Sequence, residues 1–224
     1  MDARDDVTAE DFVRDLDAAV QTTLARVAAK AGAGEPGPGV GIEALLGLAL
    51  RNELEAAEEA ARWMATEPDV EVKLALARQC GDEAKHYRLI EARLRALGGT
   101  PPADGPLPGG FGPMYQHLAA LGTTVERLAA GPYAREALAC VRNEVFADYC
   151  EAVGDVETAR LYRDVIQPDE KHHHALGRRL LVKYAVTVEA RASARRAAER
   201  TLELAEELQE IARLKKGITR APGC

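Results

Sequence analysis

The sequence predicts an all-α protein: a bundle of four helices with a long crossover between the second and the third, and an extra helix at each end. Three observations carry this. Apolar residues recur every three or four positions through the long stretches, which is the period of one helix face. Hydrophobic residues make up 47% of the 224-residue chain but aromatics only 4%, a balance rich in Ala and Leu that lets helices approach closely. Glycine and proline are gathered into runs that separate the periodic stretches, and the longest run falls mid-chain, over 98–113.

The first stretch, Thr8 to Lys30, has Thr8 placed to cap it, with Asp11 three residues on. Phe12, Leu16, Val20, Leu24 and Val27 form its apolar stripe. A Gly/Pro linker over 31–39 ends it. Ile42 to Ala65 is the first bundle helix, with Leu46, Ala49, Glu53, Ala56, Ala57, Ala60 and Met64 on one face. Glu53 is the only charge on that face, and a buried carboxylate without a partner is very costly. Glu55, Glu58 and Glu59 are expected on a solvated face. Val70 to Leu97 is the second bundle helix, with Leu76, Cys80, Glu83, His86, Ile90 and Leu94 inward.

The crossover follows, with a short helix expected over Met114 to Ala129. Pro132 to Val153 is the third bundle helix, with proline near its first turn, where it is tolerated. Leu138, Val141, Glu144 and either Ala147 or Asp148 face inward. Asp155 to Val186 is the fourth, lined by Tyr162, Ile166, Glu170, His173, Gly177 and Leu181, with Pro168 expected to bend it. Thr187 to Lys216 is a last helix, and the tail 217–224 is expected to be disordered. The expected division is a helix and linker over 1–39, the bundle over 40–186, and a helix and tail over 187–224.

The chemistry lies in a repeat. Asp82-Glu83-Ala84-Lys85-His86 contains Glu83-x-x-His86, and Asp169-Glu170-Lys171-His172-His173 contains Glu170-x-x-His173. Residues three apart on a helix share a face, so each pair can grip one metal ion. Taken alone, either pair is more often a coincidence of a charged helix surface. Upstream of each, however, stands a matching Arg-Asn-Glu, at Arg51-Asn52-Glu53 and Arg142-Asn143-Glu144. Glu53 precedes Glu83 by 30 residues and Glu144 precedes Glu170 by 26, spacings suited to antiparallel helix pairs. Such a set recurring in order is hard to assign to chance.

From Gly41 to Tyr184 the pattern resembles the ferritin-like superfamily of di-iron carboxylate proteins, whose bundles place one Glu on each of two helices and Glu-x-x-His on each of the other two. Asp82-Glu83-Ala84-Lys85-His86 is also similar to the Asp-Glu-x-Arg-His run of the di-iron monooxygenases, with Lys for Arg. The resemblance implies two metal ions held by Glu53, Glu83, His86, Glu144, Glu170 and His173. Asp82 and Asp169 are placed either as solvated helix aspartates or as acceptors for the free ring N–H of a ligand histidine, that of the opposite half. Asp148, one turn past Glu144, is expected as a supporting carboxylate. Cys80 and Cys140 are read as packing.

Four glutamates carry −4 and two ferrous ions +4, so the reduced site balances, and the oxygen and nitrogen donors favour iron or manganese, including a mixed pair, over zinc. The expected activity is a di-iron oxidase or oxygenase acting with dioxygen on a small organic substrate and drawing on an electron donor. Ala56, Ala57 and Ala60 are expected to leave room for that substrate. The alternatives are a rubrerythrin-like peroxidase or ferroxidase, and a helical interaction protein. Among the four cysteines there is no Cys-x-x-Cys, which excludes a zinc ribbon or rubredoxin site. The net charge of −7 argues against nucleic acid or an anionic membrane as partner. No apolar run reaches the roughly 18 residues of a membrane span, and the acidic start 1–6 lacks a signal peptide's apolar core. A cytoplasmic location follows as expectation, and the apolar stripes of the terminal helices suggest a homodimer.

Overall fold

The structure, a computed structural model, describes residues 7–32, 37, 40–103, 105–107 and 109–223. The acidic start, most of the first linker and Cys224 lie outside the described residues. Among the described residues all regular structure is helical: α1 (Ala9–Gly32), α2 (Ile42–Thr66), α3 (Val70–Ala96), α4 (Pro113–Ala119), α5 (Thr124–Leu128), α6 (Glu136–Ala152), α7 (Val156–Arg160), α8 (Gln167–Tyr184) and α9 (Val188–Lys216). Two π-helical stretches, Ala129–Arg135 and Leu161–Ile166, join α5 to α6 and α7 to α8 without a break. No helix among the described residues is long and apolar enough to cross a membrane.

Side-chain caps begin several of these helices. The Asp11 N–H donates to Thr8 Oγ1 at 3.0 Å. Asp69 accepts from the backbone N–H groups of Glu71 and Val72, and Thr187 from that of Ala190. Thr123 and Glu126 form a capping box at α5, so the helix that reaches α6 begins eight residues before the expected Pro132. The single crossover helix expected over Met114 to Ala129 is accordingly two, broken at 120–123.

Two apolar clusters hold the bundle together. One gathers α1, the end of α2 (Trp63), the start of α3 (Leu76), the first π-helical stretch (Tyr133), the second half of α8 (Leu180, Leu181) and α9. The other joins the start of α2 (Leu45, Leu46, Leu50), the end of α3 (Ile90, Leu94), the second half of α6 (Phe146, Cys150), Tyr162 and Ile166. Along the chain α2 and α8 run from the second cluster to the first, while α3 and α6 run from the first to the second. Because α3 and α6 therefore run the same way, the link between them must be long, as the crossover over 98–123 is. Between the clusters lies a belt of buried polar side chains.

The stripe of α1 is buried against the bundle and α9 within one chain, with Val13, Leu16 and Val27 fully covered. The stripe of α9 is covered only in part, since Ile211 and Leu214 stand exposed. The tail is not as expected. Ile218, Thr219, Pro222 and Gly223 are buried, because they lie along α2 and α6 instead of in solvent. Gly217 turns the chain at φ +65°, and an added Cβ there would stand 2.6 Å from the Gly37 Cα.

Gly177 on α8 permits the closest helix approach beside the polar belt. A Cβ there would lie 2.6 Å from the carbonyl carbon of Pro132 and 2.7 Å from the Tyr133 nitrogen, both backbone atoms that cannot swing aside. Gly81, exposed on α3, has open space. We expect Gly177→Ala to destabilise the protein by about 1–3 kcal/mol through overpacking. Gly81→Ala should stabilise it by about 0.4–1 kcal/mol through lost chain entropy. Urea unfolding of both variants checks the pair. Equal effects would mean that α8 and the π-helical stretch do not pack as described.

Candidate metal centre

Four helices send acidic or imidazole side chains into the belt. They are Glu53 from α2, Glu83 and His86 from α3, Glu136 from α6, and Glu170 and His173 from α8, all at most 3% exposed. They fall into two groups whose potential ligand atoms lie within 4.8 Å of one another. Glu53, Glu83, His86 and Glu170 form one, and Glu83, Glu136, Glu170 and His173 the other. The two Glu-x-x-His glutamates belong to both groups and so stand between two positions. Each position adds one histidine and one further glutamate. Each Glu-x-x-His pair was expected to serve its own ion; the two histidines fall in separate groups, whereas both glutamates fall in both.

The imidazoles are held alike. His86 turns Nδ1 toward Glu83 (3.2 Å), Glu53 (3.4 Å) and Glu170 (3.8 Å), and His173 turns Nδ1 toward Glu83 (3.5 Å) and Glu170 (3.6 Å). On the far side His86 Nε2 meets Asp169 Oδ2 at 3.1 Å, and His173 Nε2 meets Asp82 Oδ2 at 3.1 Å. Each aspartate thus holds the histidine of the opposite half. Lys85 donates to Asp169 and stands 3.7 Å from Asp82, linking the two. A carboxylate on Nε2–H leaves Nδ1 as the inward nitrogen, the one a metal would take once any proton on it has left.

Without metal, the electrostatics are strained. Burial, and then the charge of Glu83, raise Glu170 well above the usual carboxylate range. Burial and the charges of Glu170 and Glu83 do the same to Glu136. Burial lifts Glu53 from 4.5 to about 7 against the pull of His86. Glu83 would also rise on burial, but hydrogen bonding and attraction to His86, then the charge of His173, hold it down at about 2. His86 resists its own burial because Glu53 and Glu83 accept from it, and its pKa climbs to about 12. Glu136 Oε2, Glu170 Oε2 and His173 Nδ1 are buried yet lack a hydrogen-bond partner among the described residues. Such atoms normally have one. Here the unpartnered atoms converge with four carboxylates and two imidazoles, so the donor set fits a pair of divalent cations. The Tyr162 hydroxyl is also buried without a hydrogen-bond partner, and burial, then the charge of Glu53, keep it protonated.

Glu144 is not among these groups. Its side chain is 48% exposed, 3.2 Å from Arg163 and 3.1 Å from the Gln167 Nε2 donor. Asp148, 66% exposed, pairs with the same arginine and supports no ligand. The physical reason is helix phase. The buried face of α6 runs through Glu136, Asn143, Ala147 and Cys150, and Glu144, one residue past Asn143, is rotated off it. Glu136 takes the place expected of Glu144. It stands just after the π-helical stretch that contains Pro132, where it accepts from Gln79 Nε2 at 2.6 Å. Its signal was in the sequence: Arg135-Glu136-Ala137-Leu138-Ala139 is a lone carboxylate in an apolar setting, like Glu53. Pro168 likewise follows a π-helical stretch and precedes Glu170. π-Bulges of this kind are frequent at functional sites.

Glu59 is also buried, paired with Arg135, and Glu55 accepts from the Gly112 N–H and from Arg51, so neither is on the solvated face expected. Neither Cys80 nor Cys140 joins either ligand group. His174 and His172 are half-buried, His174 donating from Nδ1 to the Tyr133 carbonyl at 2.8 Å. Ala56, Ala57 and Ala60 are buried in packing, and a cavity of about 310 Å³ lies on another face of α2, lined by Leu48, Arg51, Asn52 and Glu55.

Compared with known proteins, the chain matches no family model, and no curated protein or solved structure is significantly similar to it. Its chemistry is therefore read from its own residues.

The metal-free site makes stability depend on pH. A carboxylate whose pKa is raised on folding contributes stability that is full below its unfolded value and is lost as pH rises through its folded value. Glu53 does so between 4.5 and about 7, and Glu136 and Glu170 add to the loss at higher pH. Glu83 acts oppositely, losing its contribution only as pH falls from 4.5 to about 2. Metal must also displace the protons held by Glu53 and His86, so it binds more tightly as pH rises. We expect added ferrous or manganous ion to raise the melting temperature more at pH 8 than at pH 6. Saturation at about 100 times the dissociation constant should add about 2.7 kcal/mol. Glu136→Gln should cut that response while leaving the metal-free protein as stable or more so, and Glu144→Gln should leave it intact. Thermal melts with and without metal at both pH values check this. A lost response in Glu144→Gln with an intact one in Glu136→Gln would reverse the assignment.

Proposed function

We propose that the protein is a ferritin-like di-metal carboxylate oxidoreductase, an oxidase or oxygenase acting on a small organic substrate. The observation that carries this is the sharing of Glu83 and Glu170 between two adjacent four-residue groups, each completed by its own histidine and glutamate. The set suits two iron ions or their manganese counterparts, since its donors are carboxylate oxygen and imidazole nitrogen without thiolate. Loaded with iron, such a centre supplies the two electrons that reduce dioxygen or peroxide. Its four glutamates, with Glu136 in place of Glu144, would balance two divalent ions in charge.

The chain's own residues hold the centre in register. Glu53, Glu136, His86 and His173 would serve one position each, and Glu83 and Glu170 would serve both. Asp169 and Asp82 anchor the two imidazoles, and Lys85 ties those aspartates together. Apolar clusters above and below exclude water, which strengthens every charge interaction between them. Gln79 and the Arg135–Glu59 pair seal the α6 side.

Anaerobic titration with ferrous ion followed by exposure to air tests the proposal. We expect saturation at about two irons per chain and uptake of about one dioxygen per iron pair. Uptake continuing to tens of irons per chain would identify an iron-storing protein instead and overturn the proposal.

A further inference from the structure

The repeated Arg-Asn pairs have a use apart from metal ligation. Asn52 donates to the Pro222 carbonyl at 3.0 Å, and the Gly223 N–H donates to Asn143 Oδ1 at 2.7 Å. The two asparagines thus grip the C-terminal tail from α2 and α6. Beside the tail the two arginines, Arg51 and Arg142, line a cavity of about 310 Å³ closed by α9. Its floor is apolar, with Leu48, Met114, Leu208 and Ile218. Its charged lining is five cations, Arg51, Arg142, Lys215, Lys216 and Arg220, against the single carboxylate of Glu55. Glu55 is matched by Arg51 at 3.1 Å. Lys215 and Lys216 stand exposed at the rim, and among the described residues neither makes an ion pair. Ile211 also lines the cavity and is 46% exposed, so the apolar stripe of α9 runs out of the core and into this space.

We propose that this cavity binds a small organic anion: an apolar body with one acidic group, the acid at the Lys215–Lys216 rim and the body against Leu48, Met114, Leu208 and Ile218. The volume sets the size, since at roughly 30 Å³ per heavy atom, a water's share of the liquid, it accommodates about ten. The cavity has the form expected of a small-molecule site, mostly apolar with a few polar groups at one side. Its position ties it to the belt. Asn52 lines it, and the next residue is Glu53. A Cβ added at Gly223 would lie 3.4 Å from Asn52 and 3.8 Å from Glu53 Oε1, so the tail spans from the cavity wall to a metal-ligand candidate. None of the belt residues lines the cavity, so binding there needs no metal and stands apart from the oxidoreductase function.

Octanoate, with ten heavy atoms, is a suitable probe, with octanol and octylamine as its neutral and cationic counterparts. Calorimetric titration of the full chain, before and after treatment with a chelator, separates this site from the metal centre. We expect one octanoate per chain in both preparations, with octanol weaker and octylamine weaker still. Replacing both rim lysines, Lys215→Gln with Lys216→Gln, should weaken octanoate about tenfold, as expected for two partly solvated charge contacts, and leave octanol unchanged. Ala212→Phe, which fills the cavity, should abolish binding of both. The lysine variant changes only exposed side chains, so it keeps the test decisive even where the phenylalanine variant fails to fold. Absence of octanoate binding, octylamine binding as tightly as octanoate, or octanoate binding undiminished in the lysine variant would each overturn the proposal. Octanoate binding without any metal uptake would leave it standing and count against the oxidoreductase function alone.

Discussion

Four glutamates converge where water does not reach, and the cost of that convergence governs the structure. An ionised carboxylate in a protein interior costs several kcal/mol unless it is paired. Here two apolar clusters close over the group from either end of the bundle. Some compensation is internal: His86 holds a proton against Glu53 and Glu83, and Gln79 donates to Glu136. The rest is deferred, because Glu53, Glu136 and Glu170 keep protons that a cation would replace. Such a belt is a poor way to stabilise a bundle, since well-packed apolar residues in its place would serve as well or better. It makes physical sense as a preorganised receptor for cations.

The features around the belt follow from holding it in register. Asp82 and Asp169 cross between halves to fix the imidazoles, so α3 and α8 are locked to each other through the site as well as through packing. Gly177 lets α8 lie directly on the first π-helical stretch. Both π-helical stretches precede a belt glutamate; the first contains Pro132 and the second ends two residues before Pro168, and a proline cannot supply the backbone N–H a regular helix would use. The tail adds a third wall. Gripped by Asn52 and Asn143, it separates the belt from the cavity beneath α9.

What was legible in the sequence was whatever is decided within one helix or by the symmetry of the two halves. Helical periodicity located α2, α3 and α8, and spacing of three placed Glu83 with His86 and Glu170 with His173. The crossed pairing of Asp82 with His173 and Asp169 with His86 followed from the two halves facing each other. What was illegible depends on partners far along the chain or on helix phase. Glu59 looks solvated until Arg135 is brought to it, and the tail looks unstructured until two asparagines on separate helices grip it. Glu144 fitted the repeat letter for letter, but the match extends only through Arg142 and Asn143, which serve the cavity and the tail. The π-helical stretch before α6 gives that helix a phase no simple periodicity reports, and it brings Glu136 inward. The lone carboxylate in an apolar run was the better guide, and it applied to Glu53 and Glu136 alike.

The measurement that bears most directly on the central claim is anomalous diffraction at the iron edge from crystals grown without oxygen and soaked in ferrous ion. The account predicts two peaks per chain about 3.5–4 Å apart. Glu83 and Glu170 should lie between them, with Glu53 and His86 at one and Glu136 and His173 at the other. Peaks at Glu144 and Asp148, a single peak, or none within the belt would contradict it.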